Sequence, residues 1–340
     1  MNQDFRQANQ RKIKGLTAAR GELSLPCLPS LLEQHFATIC DLLRALGQQF
    51  TPTELDSLRQ ALATRLEQGF AASPYARLTF CYEPPNPMAG LTSGLRISFR
   101  LHTPTTAEKY QGWVKDRGDH LFGSHADAKV LAIAAQLPAK AAILDVGAGP
   151  GRNTIPLAKL GFNMDAVELA PVFVEQLRSL ATTENLPVTV VLGDILQPET
   201  KIKIAHYDLA IVAEVISHFR NLAQVQLLLA RMCDALKPGG YLLFSTFVTQ
   251  ESYVPEPLVQ ELAQMAWSFL ITPRELATAI APLPLEIISQ EAVFAYEKSH
   301  LPPEAFPPTP WFSSWATGRD LFPMAGEPPV NLQWILAKRK

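Results

Sequence analysis

Cysteine is scarce and scattered in this sequence. Four residues among 340, Cys27, Cys40, Cys81 and Cys233, stand far apart with no CxxC pair and no histidine grouped beside them. That spacing offers neither a disulfide framework nor a zinc site, so the thiols read as reduced and no metal is expected. His120 and His125 are too isolated to argue otherwise. An excess of one charge is missing as well. Thirty Lys and Arg face 32 Asp and Glu, for a net charge of −2 and a pI near 6.4. A nucleic-acid partner ordinarily leaves a basic footprint, and the closing Lys338-Arg339-Lys340 is too short to be one. No run approaches the roughly 20 apolar residues of a membrane span. The first thirty residues hold Arg6, Arg11, Lys12, Lys14 and Arg20 but lack the apolar core of a secretory signal. Internal repeats are absent too. The expectation is a soluble cytoplasmic protein with no membrane partner.

What is present is enough apolar residue to build a large core: 47% hydrophobic against 18% charged. Residues 1–25 are polar and aperiodic and read as a flexible tail. Leu32, Phe36, Ile39, Leu43 and Leu46 then recur at spacings of four and three, the signature of a helix with one apolar face. A second helix opens at Thr51-Pro52-Thr53-Glu54, a capping box with proline in the first turn, and ends near Gly69. Extended segments at Arg77–Tyr82 and Leu95–Leu101 suit a hairpin with a long, proline-rich connection. Residues 26–105 therefore form a small helical and β appendage. Its role is not legible; a stabilising cap or a homodimer surface both fit.

From about residue 126 strands alternate with helices. Strands are expected at 142–146, 163–168, 188–192, 207–213, 241–247, 285–294 and 332–337, with helices at 154–160, 170–183 and 222–236. Such alternation gives a Rossmann-like, doubly wound α/β fold around a mostly parallel seven-stranded sheet. The last two strands are expected to be joined by a proline-rich loop without a helix, which favours an antiparallel final strand.

The chemistry concentrates at Ile143-Leu144-Asp145-Val146-Gly147-Ala148-Gly149-Pro150-Gly151-Arg152, where an apolar strand runs into a glycine turn and then a helix. Glycines there let a ligand approach the main chain closely. The spacing is G-x-G-x-G, not the G-x-G-x-x-G of nicotinamide-binding loops, and Asp145 stands where those loops carry an apolar residue.

This segment resembles the first motif of the class I S-adenosylmethionine-dependent methyltransferases, and the resemblance covers residues 106–340. Four further stretches match in order: Ala166-Val167-Glu168-Leu169, Gly193-Asp194-Ile195, residues 207–219 as the fourth strand and the loop after it, and Leu236-Lys237-Pro238-Gly239-Gly240-Tyr241-Leu242-Leu243. The resemblance implies S-adenosyl-L-methionine as cofactor. Asp145, Gly147, Ala148 and Gly149 would line its methionine end, Glu168 with Leu169 would hold the ribose hydroxyls, and Asp194 with Ile195 would face the adenine. Ala213 ends the fourth strand beside the same crevice. Duller alternatives stand beside these roles: Asp145 holding the turn, Asp194 forming an ordinary turn with its glycine.

Glu214 and His218 sit at the carboxyl end of that fourth strand, where open α/β sheets place their ligands. They are the candidate catalytic residues. His218 either takes a proton from the methyl acceptor, stacks on the adenosine or caps a helix. Glu214 either binds a cationic group or is structural. Upstream, Arg117 is a candidate partner for the methionine carboxylate, while Tyr110 and Trp113 read as packing residues. Residues 301–329 interleave prolines with Phe306, Trp311, Phe312, Trp315 and Phe322, as a wrap or as a lid over the substrate.

The sequence lacks the Asn/Asp-Pro-Pro-aromatic motif of nucleic-acid amino methylation and the Pro-Cys nucleophile of cytosine-C5 enzymes. A small-molecule acceptor is therefore favoured over DNA or RNA; a protein acceptor stays open as the lesser alternative. Two other readings stay open: a non-catalytic module that binds the cofactor, and a nicotinamide-dependent oxidoreductase.

Overall fold

The structure is a computed structural model and describes residues 19–48, 50–84, 95–117, 123 and 125–340, excluding the side chains of 114–117. Pro85, Pro87, Gly90, His120 and the side chain of Arg117 lie outside the described residues. The chain divides into two compact units, Met1–Thr106 and Ala107–Lys340.

The first unit is a three-stranded antiparallel sheet with helices packed on its apolar side. Its strands are β1 (Gly21–Pro26), β2 (Arg77–Glu83) and β3 (Arg96–His102), with β2 in the middle. Residues 21–25 were expected in the tail; they pair instead with β2, Leu23 facing Phe80 and Leu25 facing Leu78. The short alternation of Leu23 and Leu25 gains its meaning only from that partner strand. Helices α1 (Leu32–Ala45) and α2 (Pro52–Ala72) bring Ile39, Leu43, Leu62 and Leu66 onto Leu78 and Phe80. The expected capping box forms: Glu54 N–H donates to Thr51 Oγ1 at 3.3 Å, and Thr51 N–H donates to the Glu54 carboxylate at 2.8 Å.

The second unit begins with α3 (Thr106–Arg117) and α4 (Ala128–Ala134), then alternates. In chain order follow β4 (Ala142–Val146), α5 (Thr154–Lys159), β5 (Asn163–Glu168), α6 (Pro171–Thr183), β6 (Val188–Leu192), β7 (Tyr207–Val212), α7 (Leu222–Ala235) and β8 (Leu236–Thr249). The sheet order is β10-β11-β8-β7-β4-β5-β6, where β10 is Leu285–Ala292 and β11 is Val330–Arg339. β11 runs antiparallel to both its neighbours, and the other pairings recorded in this sheet are parallel. From β4 the chain steps outward to β5 and β6; from β7 it steps the other way. That reversal opens a crevice at the carboxyl ends of β4 and β7. Leu228, Leu229 and Met232 of α7 pack on one face of the sheet, and Val130, Leu157, Phe312 and Trp315 pack on the other.

Several expectations are corrected. The sheet has eight strands, because the short β9 (Leu270–Ile271) adds to β8. Helices α8 (Pro257–Met265) and α9 (Pro273–Ile280) precede β10. The Pro238-Gly239-Gly240 turn is a bulge within β8, where the register against β7 shifts between Tyr207 and Leu209. The strand expected to reach Phe294 stops at Ala292, and the last two strands are joined by helices α10 (Val293–His300) and α11 (Phe312–Ala316). α10 owes its place to tertiary partners, since its Val, Phe and Tyr residues are indifferent helix formers. Its Glu297, fully buried, accepts the Ala128 N–H at 2.7 Å, the Lys129 N–H at 3.2 Å and Trp334 Nε1–H at 3.0 Å.

Those three donors would be orphaned together by truncation. Glu297→Ala should lower stability by about 3 kcal/mol, the cost of buried donors left without a partner. Urea unfolding checks this; a loss below about 1 kcal/mol would show the donors finding other partners.

Candidate active site

Because β4, β5, β6 and β7 are mutually parallel, their carboxyl ends share one edge, and the expected site residues gather there. Asp145 is the penultimate residue of β4. It is buried and accepts Thr154 Oγ1–H at 2.6 Å across the glycine turn. Gly147 N–H and Ala148 N–H both reach the Val167 carbonyl, at 2.8 and 3.2 Å, so the turn is clamped onto the end of β5. Gly147 has φ +68, and a Cβ there would lie 2.4 Å from Val215 Cγ2. Gly149 also has a positive φ, +55, but a Cβ would meet nothing within 4 Å. The backbone at Gly149 therefore faces open space at the mouth of the crevice.

Glu168, 6% exposed at the end of β5, spans this mouth. One carboxylate oxygen accepts the Gly149 N–H at 2.8 Å and the other accepts the Ala170 N–H at 2.7 Å. Each oxygen keeps a further lone pair, the acceptor set that the hydroxyls of a vicinal diol require. Burial raises its pKa, opposed by those backbone donors. Leu169 beside it is exposed, and Ile195 is buried under the neighbouring strand end. Asp194 forms a local turn: its Oδ1 accepts the Leu196 N–H at 2.9 Å and its carbonyl accepts Thr200 Oγ1–H at 2.7 Å.

Beyond Ala213, Glu214 takes the left-handed conformation with φ +59. Its N–H donates to Ser245 Oγ at 2.7 Å and its carbonyl accepts Ser217 Oγ–H at 2.9 Å. Its carboxylate is not open to a ligand's charge alone, because Arg152 Nη2 donates to it at 2.9 Å. The same guanidinium donates to Asp127 Oδ1 at 2.6 Å, and Asp127 is held in turn by Asn153, whose Nδ2 donates at 2.9 Å. Burial works against the charge on Arg152, but the carboxylates of Asp127 and Glu214 outweigh it and raise its pKa. Burial pushes Glu214 up, with Arg152 opposing.

His218 shares a 2.9 Å hydrogen bond through Nε2 with the hydroxyl of Tyr110 on α3. Its Nδ1 is sealed from solvent and has no partner among the described residues. Burial pushes the imidazole down to about 4, so it is neutral near pH 7. Tyr110 meets it edge-on and Trp267 at a tilt, and Trp113 and Phe173 pack in turn against those two rings. Tyr110 is thus more than the packing residue its spacing suggests. Arg152, Asp127 and Asn153 escape sequence reasoning; the only local sign is a charged residue set directly after Gly151.

Residues 143–240 match a family model described as a methyltransferase domain. The ubiquinone biosynthesis O-methyltransferase of Rickettsia akari (strain Hartford) is 33% identical over 123 residues, which are 36% of this chain and 47% of that protein. The protein of the same name from Methylocella silvestris is 32% identical over 162 residues, 44% of this chain and 60% of that one. The chain thus spans about half the length of the curated relatives it matches. Among solved structures, Haemonchus contortus phosphoethanolamine N-methyltransferase 2 in complex with S-adenosyl-L-methionine superposes with a TM-score of 0.50 at 12% identity. That superposition covers 78% of this chain and 69% of that one, and it is a likeness of fold. The unit carrying the crevice is a cofactor-binding α/β domain with an acidic residue closing a glycine turn. Through residues 143–240 it is similar to the class I S-adenosylmethionine-dependent methyltransferases, a class whose cofactor is S-adenosyl-L-methionine. The open backbone at Gly149 and the spare lone pairs of Glu168 fit that group. No helix among the described residues is long and apolar enough to cross a membrane.

The buried acid of β4 gives a pH signature. Burial lifts Asp145 from 3.8 to about 7, against the hydrogen bond from Thr154. The folded carboxyl thus ionises later than the unfolded one, so the penalty on the folded state grows between about pH 4 and 7 and then levels. Asp145→Asn should therefore stabilise the cofactor-free protein more at pH 8 than at pH 5. Urea unfolding at the two pH values checks this, and an equal change at both would mean that Asp145 titrates normally.

Proposed function

We propose that this protein transfers a methyl group from S-adenosyl-L-methionine to a small-molecule acceptor in the crevice at the carboxyl edge of the sheet. The observation that carries the reading is Glu168 laid across the mouth of the glycine turn, each oxygen holding one backbone N–H and offering a lone pair to ribose hydroxyls. Gly147, Ala148 and Gly149 supply the close backbone approach, with Asp145 behind them. Leu169, Asp194, Ile195 and Ala213 border the adenosine side. Arg117 is assigned to the methionine carboxylate by its place at the end of α3. The curated relatives are named as O-methyltransferases, and a small acceptor agrees with them.

When bound, the cofactor supplies a methyl group on a sulfonium, open to in-line displacement. The protein's task is to hold the acceptor in line and keep water out. The aromatic side chains around His218 serve the second purpose. A hydroxyl acceptor arrives protonated, and His218 is the base assigned to it. In the tautomer whose Nε2–H donates to Tyr110, Nδ1 carries a lone pair with no competing donor among the described residues. Glu214 is assigned the part of a positioning residue, since Arg152 occupies its carboxylate.

Two outcomes test this. Glu168→Ala should weaken S-adenosylhomocysteine binding by about 100-fold or more, the value of two charge-assisted hydrogen bonds, and Gly149→Val should weaken it as well by filling the cradle. Calorimetry on both variants decides; unchanged affinity in each would sink the site. His218→Ala should lower kcat by about 100-fold while sparing cofactor affinity. In the wild type the acid limb of kcat/KM should lie near pH 4, where the buried imidazole protonates. A limb near 6.5 would assign the base elsewhere.

A further inference from the structure

Trp267 stands where a helix ordinarily hands over to glycine. α8 ends at Met265, Ser268 N–H returns to the Ala263 carbonyl at 2.9 Å, and Trp267 N–H points to that of Gln264 at 3.4 Å. These two bonds make a Schellman stop, whose left-handed position is usually glycine. Here it is tryptophan, with φ +52. A bulky side chain in that conformation is strained and persists only where its surroundings over-determine it.

The surroundings do so from two sides. Trp315 Nε1–H, from α11 in the C-terminal excursion, donates to the Trp267 carbonyl at 3.1 Å. Trp315 is itself buried, edge-on to Phe247 and Trp311. Two residues beyond Trp267, Phe269 N–H donates to the Ser217 carbonyl at 3.1 Å, which ties the turn to the segment carrying His218. The result is an indole whose ring centroid lies 3.9 Å from that of Trp113 and 6.0 Å from that of His218. Unlike Trp315, both Trp267 and His218 keep part of their surface exposed. Strain is thus spent on displaying a tryptophan beside the candidate base, not on filling the core.

We propose that Trp267 is the acceptor-selecting wall of the site: braced by Trp315, its indole stacks a flat, conjugated acceptor with the nucleophilic atom directed toward His218. A planar π system gains from an indole face or edge what a saturated ring of the same size does not. The proposal rests on the reading that this crevice receives the methyl acceptor.

The test uses the full chain saturated with S-adenosylhomocysteine, titrated with 2-naphthol and with its saturated counterpart 2-decalol, and read by calorimetry. The wild type should bind 2-naphthol about five- to ten-fold more tightly than 2-decalol. Trp267→Gly, which suits the left-handed position, should abolish that preference, and Trp267→Phe should restore most of it. Trp315→Phe keeps a ring in the core but deletes the N–H. It should weaken 2-naphthol about three-fold, whereas Trp311→Phe should leave it unchanged. Equal binding of the two probes, no saturable binding of 2-naphthol, or a Trp267→Gly variant with intact preference overturns the proposal. Equal effects of Trp315→Phe and Trp311→Phe overturn the bracing role. Failure of the wild type to bind S-adenosylhomocysteine overturns the cofactor reading, and the wall with it. Retained cofactor binding without discrimination overturns the wall alone.

Discussion

The buried guanidinium of Arg152 is the constraint around which the crevice is arranged. A charge taken out of water is tolerated only with partners in good geometry, and removing one partner leaves the other uncompensated. Asp127 and Glu214 supply those partners from opposite sides. Three segments distant in sequence must therefore coincide: the residue before α4, the end of the glycine turn, and the second residue after β7. Asn153 reinforces the join by exchanging two hydrogen bonds with Asp127, both at 2.9 Å. Once this is fixed, Glu214 is drawn into its left-handed conformation, and the short turn after it delivers His218 to the same edge. Glu297 extends the arrangement, since it holds the two N–H groups that follow Asp127 while standing on a helix of the C-terminal excursion.

What could be read from the sequence divides along the same line. The glycine turn and Glu168 were legible because their geometry is local: a strand, a tight turn and an acid one strand later carry their own signal. The apolar strands were legible for the same reason, as was the antiparallel β11. Arg152 lies in the same string as Gly151, yet its role depends on residues 25 positions before it and 62 after. Nothing in the string itself announces that. Glu214 was expected to have two alternatives, a cationic ligand or a structural place, and its bond to Arg152 favours the second. β1 and α10 were missed because each is made by a tertiary partner, Phe80 and Leu78 for one, Ala128, Lys129 and Trp334 for the other.

The proline-rich excursion packs as the wrap, one of the two expected alternatives, and still bears on the site. Phe312 and Trp315 are buried on the sheet with Phe247, which is the behaviour of a wrap. Yet the indole N–H of Trp315 reaches the carbonyl of Trp267, so the wrap ends by supporting a residue beside His218. A packed segment can shape a site without moving over it.

The two halves of the crevice are built from different materials. The half assigned to the cofactor relies on main-chain groups and one carboxylate, and main-chain geometry is recorded in sequence as glycine spacing. The half assigned to the acceptor relies on side chains brought from α3, α6, the turn after α8 and the segment after β7. Their selection is a matter of ring faces and edges, with no fixed spacing to record it. A sequence motif therefore points to the proposed methyl donor and falls silent on its recipient, and the strained backbone at Trp267 is where the fold itself begins to speak about the second.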